Sequence, residues 1–258
     1  MSRVVSRFLR FFIICLQAVF LLFLFTNSSS AEDVFSEGKK VYEKYCIGCH
    51  GKKGDGKGAA AGNLLIKPRD LTRGQFKFKS TPISSLPTDE DFKRALNTGL
   101  PTSPMPNFRL TPDDDKDKVI AYIKGFSDRW KKEKPEKRFA DITIPDFVGA
   151  PDSVKKGESL FTERCQRCHG SKGEKFSPAF PTFFLKWTDK EYDLTRPANF
   201  NHAVIKRGLK VEDIYLSITA GVEGTPMMSY RDLLSENNRW HLTSYVLTFM
   251  GNKKTGGK

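Results

Sequence analysis

At 258 residues the chain is long enough for one large domain or two of ordinary size, and its 38% hydrophobic fraction with 21 Phe excludes wholesale disorder. A mean hydropathy of -0.46 excludes several membrane spans, and the composition excludes collagen-like and fibrous classes. The formal charge of +13, from 43 Lys and Arg against 30 Asp and Glu, suits an acidic partner, an anionic membrane or nucleic acid without choosing among them.

Arg3, Arg7 and Arg10 precede an apolar run from Phe11 to Phe25, broken by Gln17, and small residues follow up to Ser29 and Ala31. This pattern predicts a secretory signal over 1–31 with cleavage before Glu32, and hence a periplasmic or equivalent exported compartment. A run of about 15 is short for a spanning helix; the alternative is an uncleaved N-terminal membrane anchor. Losing 1–31 removes three Arg and no acid, so the mature chain stays basic at +10.

Cys15 leaves with the signal. The other four cysteines form two pairs, Cys46-Ile47-Gly48-Cys49-His50 and Cys165-Gln166-Arg167-Cys168-His169. Thiols in an exported chain can make disulfides, a redox dithiol, a four-Cys zinc site or thioethers to haem. The adjacent His favours haem: in Cys-x-x-Cys-His both thiols meet vinyl groups, and the imidazole reaches the iron from the same face. Two such motifs predict two covalently bound haem c groups, on Cys46 and Cys49 with His50, and on Cys165 and Cys168 with His169.

The motifs belong to an internal repeat. Gly38 precedes Cys46 by eight residues, as Gly157 precedes Cys165, and the Cys pairs lie 119 apart. Asp70-Leu71-Thr72-Arg73 recurs as Asp193-Leu194-Thr195-Arg196, Pro104-Met105 as Pro226-Met227, and Tyr122 with Phe126 as Tyr245 with Phe249, at offsets of 122 or 123. The drift predicts an insertion of about four residues between His169 and Asp193, in the loop with Pro178, Pro181 and Trp187. Val41, Tyr42 and Tyr45 predict a helix of two to three turns before the first motif, and Leu160 and Phe161 one before the second. Val119, Ile120, Tyr122, Ile123 and Phe126, then Leu242, Tyr245, Val246 and Phe249, predict amphipathic helices closing each unit. Gly38 and Gly157 would let these helices approach closely. The intervening Gly- and Pro-rich stretches read as loops around a large ligand.

The domain reading is 32–134 and 151–251, joined by a linker over 135–150 and followed by a flexible tail at 252–258. The charged stretch from Lys131 to Arg138 reads as solvated, and Ile142-Thr143-Ile144 as extended against one domain.

With an export signal, two haem motifs, late Pro-Met loops and aromatic closing helices, residues 34 to 250 resemble a tandem dihaem class I c-type cytochrome. The resemblance implies an all-α fold, two tandem domains of a few helices each wrapped around one haem. It also implies that a Met from a loop before the last helix binds iron opposite the His: Met105, 55 residues after His50, and Met227, 58 after His169. Met228 sits beside Met227, and Gly54-Asp55-Gly56 has no counterpart after His169. Thioether ligation favours the ferrous state, so both haems should be relatively oxidising. His202 and His241 read as polar boundary residues; Trp130, Trp187 and Trp240 read as core. Arg69, Arg73 and Arg196 could hold haem propionates, and Lys52, Lys53, Lys77 and Lys79 could surround a haem edge.

The function read from the sequence is electron transfer in a respiratory chain, without catalysis of its own. The expected partners are redox proteins with acidic docking surfaces, including subunits of a membrane complex; neither nucleic acid nor a small-molecule substrate is expected. The alternative is a dihaem peroxidase, which needs one displaceable sixth ligand and a distal acid-base group.

Overall fold

The computed structural model describes residues 31–101, 103–136, 139, 142–174, 197–202 and 205–251. Residues 1–30 of the expected signal, the loop with Pro178, Pro181 and Trp187, residues 193–196 and the tail from 252 lie outside them. The described residues form nine helices: α1 (Ala31–Tyr45), α2 (Ile47–His50), α3 (Asp89–Thr98), α4 (Asp113–Lys124), α5 (Arg129–Lys132), α6 (Pro151–Arg164), α7 (Gln166–His169), α8 (Val211–Ala220) and α9 (Glu236–Gly251). No strand forms among them beyond an isolated bridge between Glu174 and Asn199. None of these helices is long and apolar enough to cross a membrane.

The same architecture occurs twice. In the first unit α1 packs on α4, in the second α6 packs on α9. Both entry helices are about four turns, longer than predicted, and acids in their first turns suit the helix dipole. Glycine permits the packing: a methyl on Gly38 would stand 2.1 Å from the Lys118 carbonyl oxygen, and one on Gly157 2.0 Å from that of His241. Around these points sit matching aromatic clusters. Tyr42 meets Tyr122 and Phe126 at 5.3 and 5.1 Å between ring centres, and Phe161 meets Tyr245 and Phe249 at 5.3 and 5.4 Å. Tyr42 and Phe161, each 1% exposed, anchor the two cores; burying one such ring gains roughly 1.5–3 kcal/mol.

Between the end helices each unit holds a middle helix where the sequence predicts loops alone. The Thr88 hydroxyl accepts the Asp91 N–H at 3.3 Å while the Asp91 carboxylate accepts the Thr88 N–H at 3.1 Å, a capping box that starts α3. At α8 half of it remains, the Lys210 N–H donating to Asp213 at 3.3 Å. Phe92 and Leu96, or Ile214 and Ile218, bury the inner face, and Gly99 and Gly221, at φ 66° and 69°, end the helices.

The structure also corrects the repeat. Leu71–Arg73 forms a single 3-10 turn capped by the Asp70 carboxylate, which accepts the Thr72 N–H, and the Leu71 N–H bonds the Gly54 carbonyl. Its counterpart is Phe200–His202, capped by Asn199, with the Phe200 N–H on the Gly173 carbonyl. That pairing has an offset of 129. Asp70–Arg73 therefore corresponds to Asn199–His202, not to Asp193–Arg196, and the insertion is about ten residues rather than four. Asx capping of the turn tolerates either Asp or Asn, so an identical tetrapeptide is a weaker guide than the turn itself.

The linker is docked near both of its ends, where the Glu136 N–H donates to the Ser85 hydroxyl at 3.0 Å and the Gly149 N–H to that of Ser244 at 3.1 Å. Phe139 donates its N–H to the Ser80 carbonyl at 2.9 Å, and the Phe147 ring centre lies 4.9 Å from that of His241. Lys131–Glu136 is exposed, as expected, but so are Thr143 and Ile144, with Ile142 half-buried. The Phe147 ring thus packs on the second unit, while Thr143 and Ile144, expected to lie against a domain, face solvent.

Candidate functional site

Each Cys-x-x-Cys-His motif folds as one helical turn continuing from the entry helix. Cys46 (φ -116°, ψ -32°) and Cys165 (φ -117°, ψ -33°) make the same kink. Their N–H groups bond Tyr42 and Phe161 carbonyls at 2.8 Å, and their carbonyls accept the His50 and His169 N–H groups at 2.9 and 3.0 Å. The tight fold brings both thiols and the imidazole of each motif onto one short turn.

All four thiols are free. Burial pushes Cys46 up to about 11 and Cys165 up to about 12, so they stay protonated at neutral pH. A redox dithiol needs the reverse, a thiol lowered toward neutrality. Among the described residues no three His, Cys, Asp or Glu side chains gather as a metal-holding group, which removes the four-Cys zinc arrangement.

Both imidazoles are held by a backbone carbonyl. His50 Nδ1 lies 3.0 Å from the Arg69 carbonyl, and His169 Nδ1 3.3 Å from the Ala198 carbonyl. A carbonyl can only accept, so Nδ1 carries the hydrogen and Nε2 keeps its lone pair for a metal. Desolvation lowers both imidazoles, His169 to about 4, so the neutral ligating form prevails at neutral pH. Phe200 stacks on the His169 ring with centres 4.7 Å apart.

The loops after α3 and α8 carry Met105 and Met227 in one conformation. The Leu100 N–H bonds the Met105 carbonyl at 3.1 Å, and the Val222 N–H the Met227 carbonyl at 2.9 Å. Inside each loop a hydroxyl stands two residues before the Met: Ser103 donates to Leu100 and accepts the Met105 N–H, while Thr225 donates to Val222 and accepts the Met227 N–H. Met105 packs on the same core cluster as Cys46. Met227 is half-buried, whereas its neighbour Met228 is 52% exposed and corresponds to Pro106.

The remaining sequence candidates divide. His241 bonds Ser153 at 2.9 Å; the His202 side chain lies outside the described part of the structure. Trp240 is buried and stacked on Tyr215 at 3.8 Å, and Trp130 packs with Phe76 and Phe92. Arg69 supports His50 through its backbone carbonyl. Lys52 and Lys53 are exposed beside the first motif. Lys79 is not a surface cation: it is 2% exposed and paired with Glu223 at 2.8 Å. The sequence reading missed Arg207, 1% exposed, which donates to Ser217 and the Lys79 carbonyl, and Asp91, which accepts the Ser80 N–H at 2.9 Å. Arg207 carried no motif and only its burial identifies it, whereas Asp91 stands in the Thr88-x-x-Asp91 capping pattern that the sequence analysis passed over.

These residues fit a covalently held porphyrin. Each unit offers two free thiols, an imidazole with free Nε2 and a methionine loop. The fit extends to buried donors without partners, Trp130 Nε1, Thr219 Oγ1 and Arg207 Nη1, which would find acceptors on the acidic edge of such a group.

Comparison with known proteins agrees. The family model described as cytochrome C oxidase, cbb3-type, subunit III matches residues 33–123 and again 152–246. A chain of the Kuenenia stuttgartiensis reducing HAO-like protein complex superimposes with a TM-score of 0.75 at 33% identity, covering 83% of this chain and 95% of that one. No curated protein matches. With two family matches spanning well over half its length, each enclosing one haem motif, the chain belongs to the family described as cytochrome C oxidase, cbb3-type, subunit III, as a tandem electron-transfer cytochrome c.

Proposed function

We propose that this protein is an exported dihaem c-type cytochrome that passes electrons between redox proteins in a respiratory chain, as a carrier or as the electron-transfer subunit of a complex. Cys46 and Cys49 hold the first haem, with His50 and Met105 on its iron; Cys165 and Cys168 hold the second, with His169 and Met227. When bound, each haem supplies one-electron Fe(III)/Fe(II) chemistry.

The observation that carries this reading is the twofold occurrence of one arrangement: each unit has an imidazole with Nδ1–H on a backbone carbonyl and a hydroxyl-braced methionine loop. The carbonyls hold both rings in the ligating tautomer. The loops present thioethers, and the buried aromatic clusters keep water from the sites. Two similar units suit a relay with all axial positions filled rather than a peroxidase, which needs them to differ at one iron.

The net charge and exposed Lys52 and Lys53 support docking against an acidic protein surface. The Kuenenia neighbour belongs to a protein complex, which supports a protein partner here too. The test is the near-infrared sulfur-to-iron band of the oxidised, purified protein. Two acid-acetone-resistant haems per chain are expected, with half of the band lost in Met105→Ala and half in Met227→Ala. A full band in either variant, or extractable pigment, refutes the corresponding assignment.

A further inference from the structure

The two methionine loops share a fold but not a composition. The first, Leu100-Pro101-Thr102-Ser103-Pro104-Met105-Pro106, has three prolines; the second, Val222-Glu223-Gly224-Thr225-Pro226-Met227-Met228, has one proline and a glycine at φ 71°. Proline stiffens a loop by restricting φ, and glycine relaxes it. The second loop is therefore the softer by sequence.

What it lacks in proline it receives from the first unit. Where the first loop has Pro101, the second has Glu223. Its carboxylate pairs with Lys79 at 2.8 Å, with the two side chains 10% and 3% exposed, and accepts the Ser84 N–H at 3.3 Å. Lys79 also donates to the Pro82 carbonyl. Burial lowers the Lys79 ammonium, and Glu223 opposes that shift. Ser84, at φ 69°, is the one non-glycine residue with positive φ among those described, an uncommon conformation for a side-chain-bearing residue. Arg129 braces it from behind, donating to its carbonyl at 2.6 Å and to that of Gly74 at 2.8 Å. A strained residue, a buried ion pair and a bracing arginine thus converge on one carboxylate four residues before Met227. Glu223 and Gly224 also share a cleft with Arg69, the residue whose carbonyl orients His50.

We propose that Lys79 is a positioning residue acting across the two units: by holding Glu223 it seats the Val222–Met227 loop, so thioether ligation in the second unit depends on docking against the first, while the proline-rich first loop stands on its own sequence. This inference rests on Met227 being the iron ligand. A buried pair suits such a role because it tolerates little displacement of either charge.

The experiment uses the full haem-loaded chain and reads the near-infrared band, the two reduction potentials and imidazole binding to the ferric haems. Met227→Ala comes first; if it keeps the whole band, the ligand assignment fails and the inference with it. Once Met227→Ala defines the second unit's share, Glu223→Gln and Lys79→Gln should each lose part or all of that share. One potential should fall and one imidazole affinity should rise about tenfold or more, with the share removed by Met105→Ala untouched. The charge-swapped Lys79→Glu, Glu223→Lys protein should recover part of the lost band, which a nonspecific packing defect would not do. Wild-type band, potentials and imidazole affinity in folded Gln variants overturn the inference. Should the Gln variants not accumulate with two haems, Glu223→Asp keeps the charge but withdraws it by one methylene, and wild-type behaviour in that protein overturns the inference equally.

Discussion

The first unit closes the turn after its histidine with Gly51, Gly54 and Gly56, all at positive φ; the second uses Gly170 and Gly173 and then Glu174, whose carboxylate accepts the Lys172 N–H at 2.7 Å. In the first, the Tyr42 hydroxyl donates to the Gly51 carbonyl at 2.7 Å; in the second, the same place is taken by Phe161, which has no donor. The segment between the 3-10 turn and the middle helix is also longer in the first unit, and its residues Lys79, Ser80, Thr81, Leu86 and Pro87 are buried. The comparison teaches that the ligand-bearing turns are held alike, while the variation falls on the braces around them and on the surface where the units meet.

The largest way to break the symmetry is to remove one cofactor. Cys165→Ala with Cys168→Ala should halve the haem per chain by pyridine haemochrome and leave the first unit's spectrum intact; a protein still carrying two covalent haems would contradict the assignment. Next come the helix crossings. Gly38→Val and Gly157→Val each force a side chain into a carbonyl about 2 Å from its Cβ, which should cost about 3 kcal/mol in the affected unit. Similar losses in urea unfolding would bear out the matching geometry, and a large inequality would break it.

Smaller effects sharpen the comparison. Tyr42→Phe makes the first unit resemble the second and leaves the Gly51 carbonyl without its phenol, so unfolding in urea should show a loss of about 1 kcal/mol. Thr88→Ala removes one arm of the capping box of α3 and should cost about 1 kcal/mol. The converse, Lys210→Thr, supplies the missing arm to α8 and should gain a few tenths to about 1 kcal/mol. A gain at Lys210 without a loss at Thr88 would mean that the two middle helices start differently.

Much of the architecture was legible because it repeats. Closing helices showed as Val119, Ile120 and Ile123 and as Leu242 and Val246, and all five side chains are buried. The close crossings showed as Gly38 and Gly157. The first middle helix did not, since in Asp89–Thr98 only Phe92, Ala95 and Leu96 are apolar and so short a stripe is easily read as loop. The second 3-10 turn was misplaced because Asp193–Arg196 repeats letters whereas Asn199–His202 repeats the hydrogen bonds. Lys79 was misread because a lysine in a basic sequence is normally solvated.

By itself the sequence determined which atoms can do chemistry, since two thiols and an imidazole at fixed spacing on one helical turn meet by local geometry alone. It determined the twofold plan as well, because each unit's core pattern is written within its own hundred residues. Only the tertiary structure decided which histidine nitrogen is left for a metal, which of two adjacent methionines turns inward, and that a lysine of one unit is buried against a glutamate of the other. Those outcomes depend on carbonyls and charges supplied by distant segments, and no local spacing records where such segments come to rest.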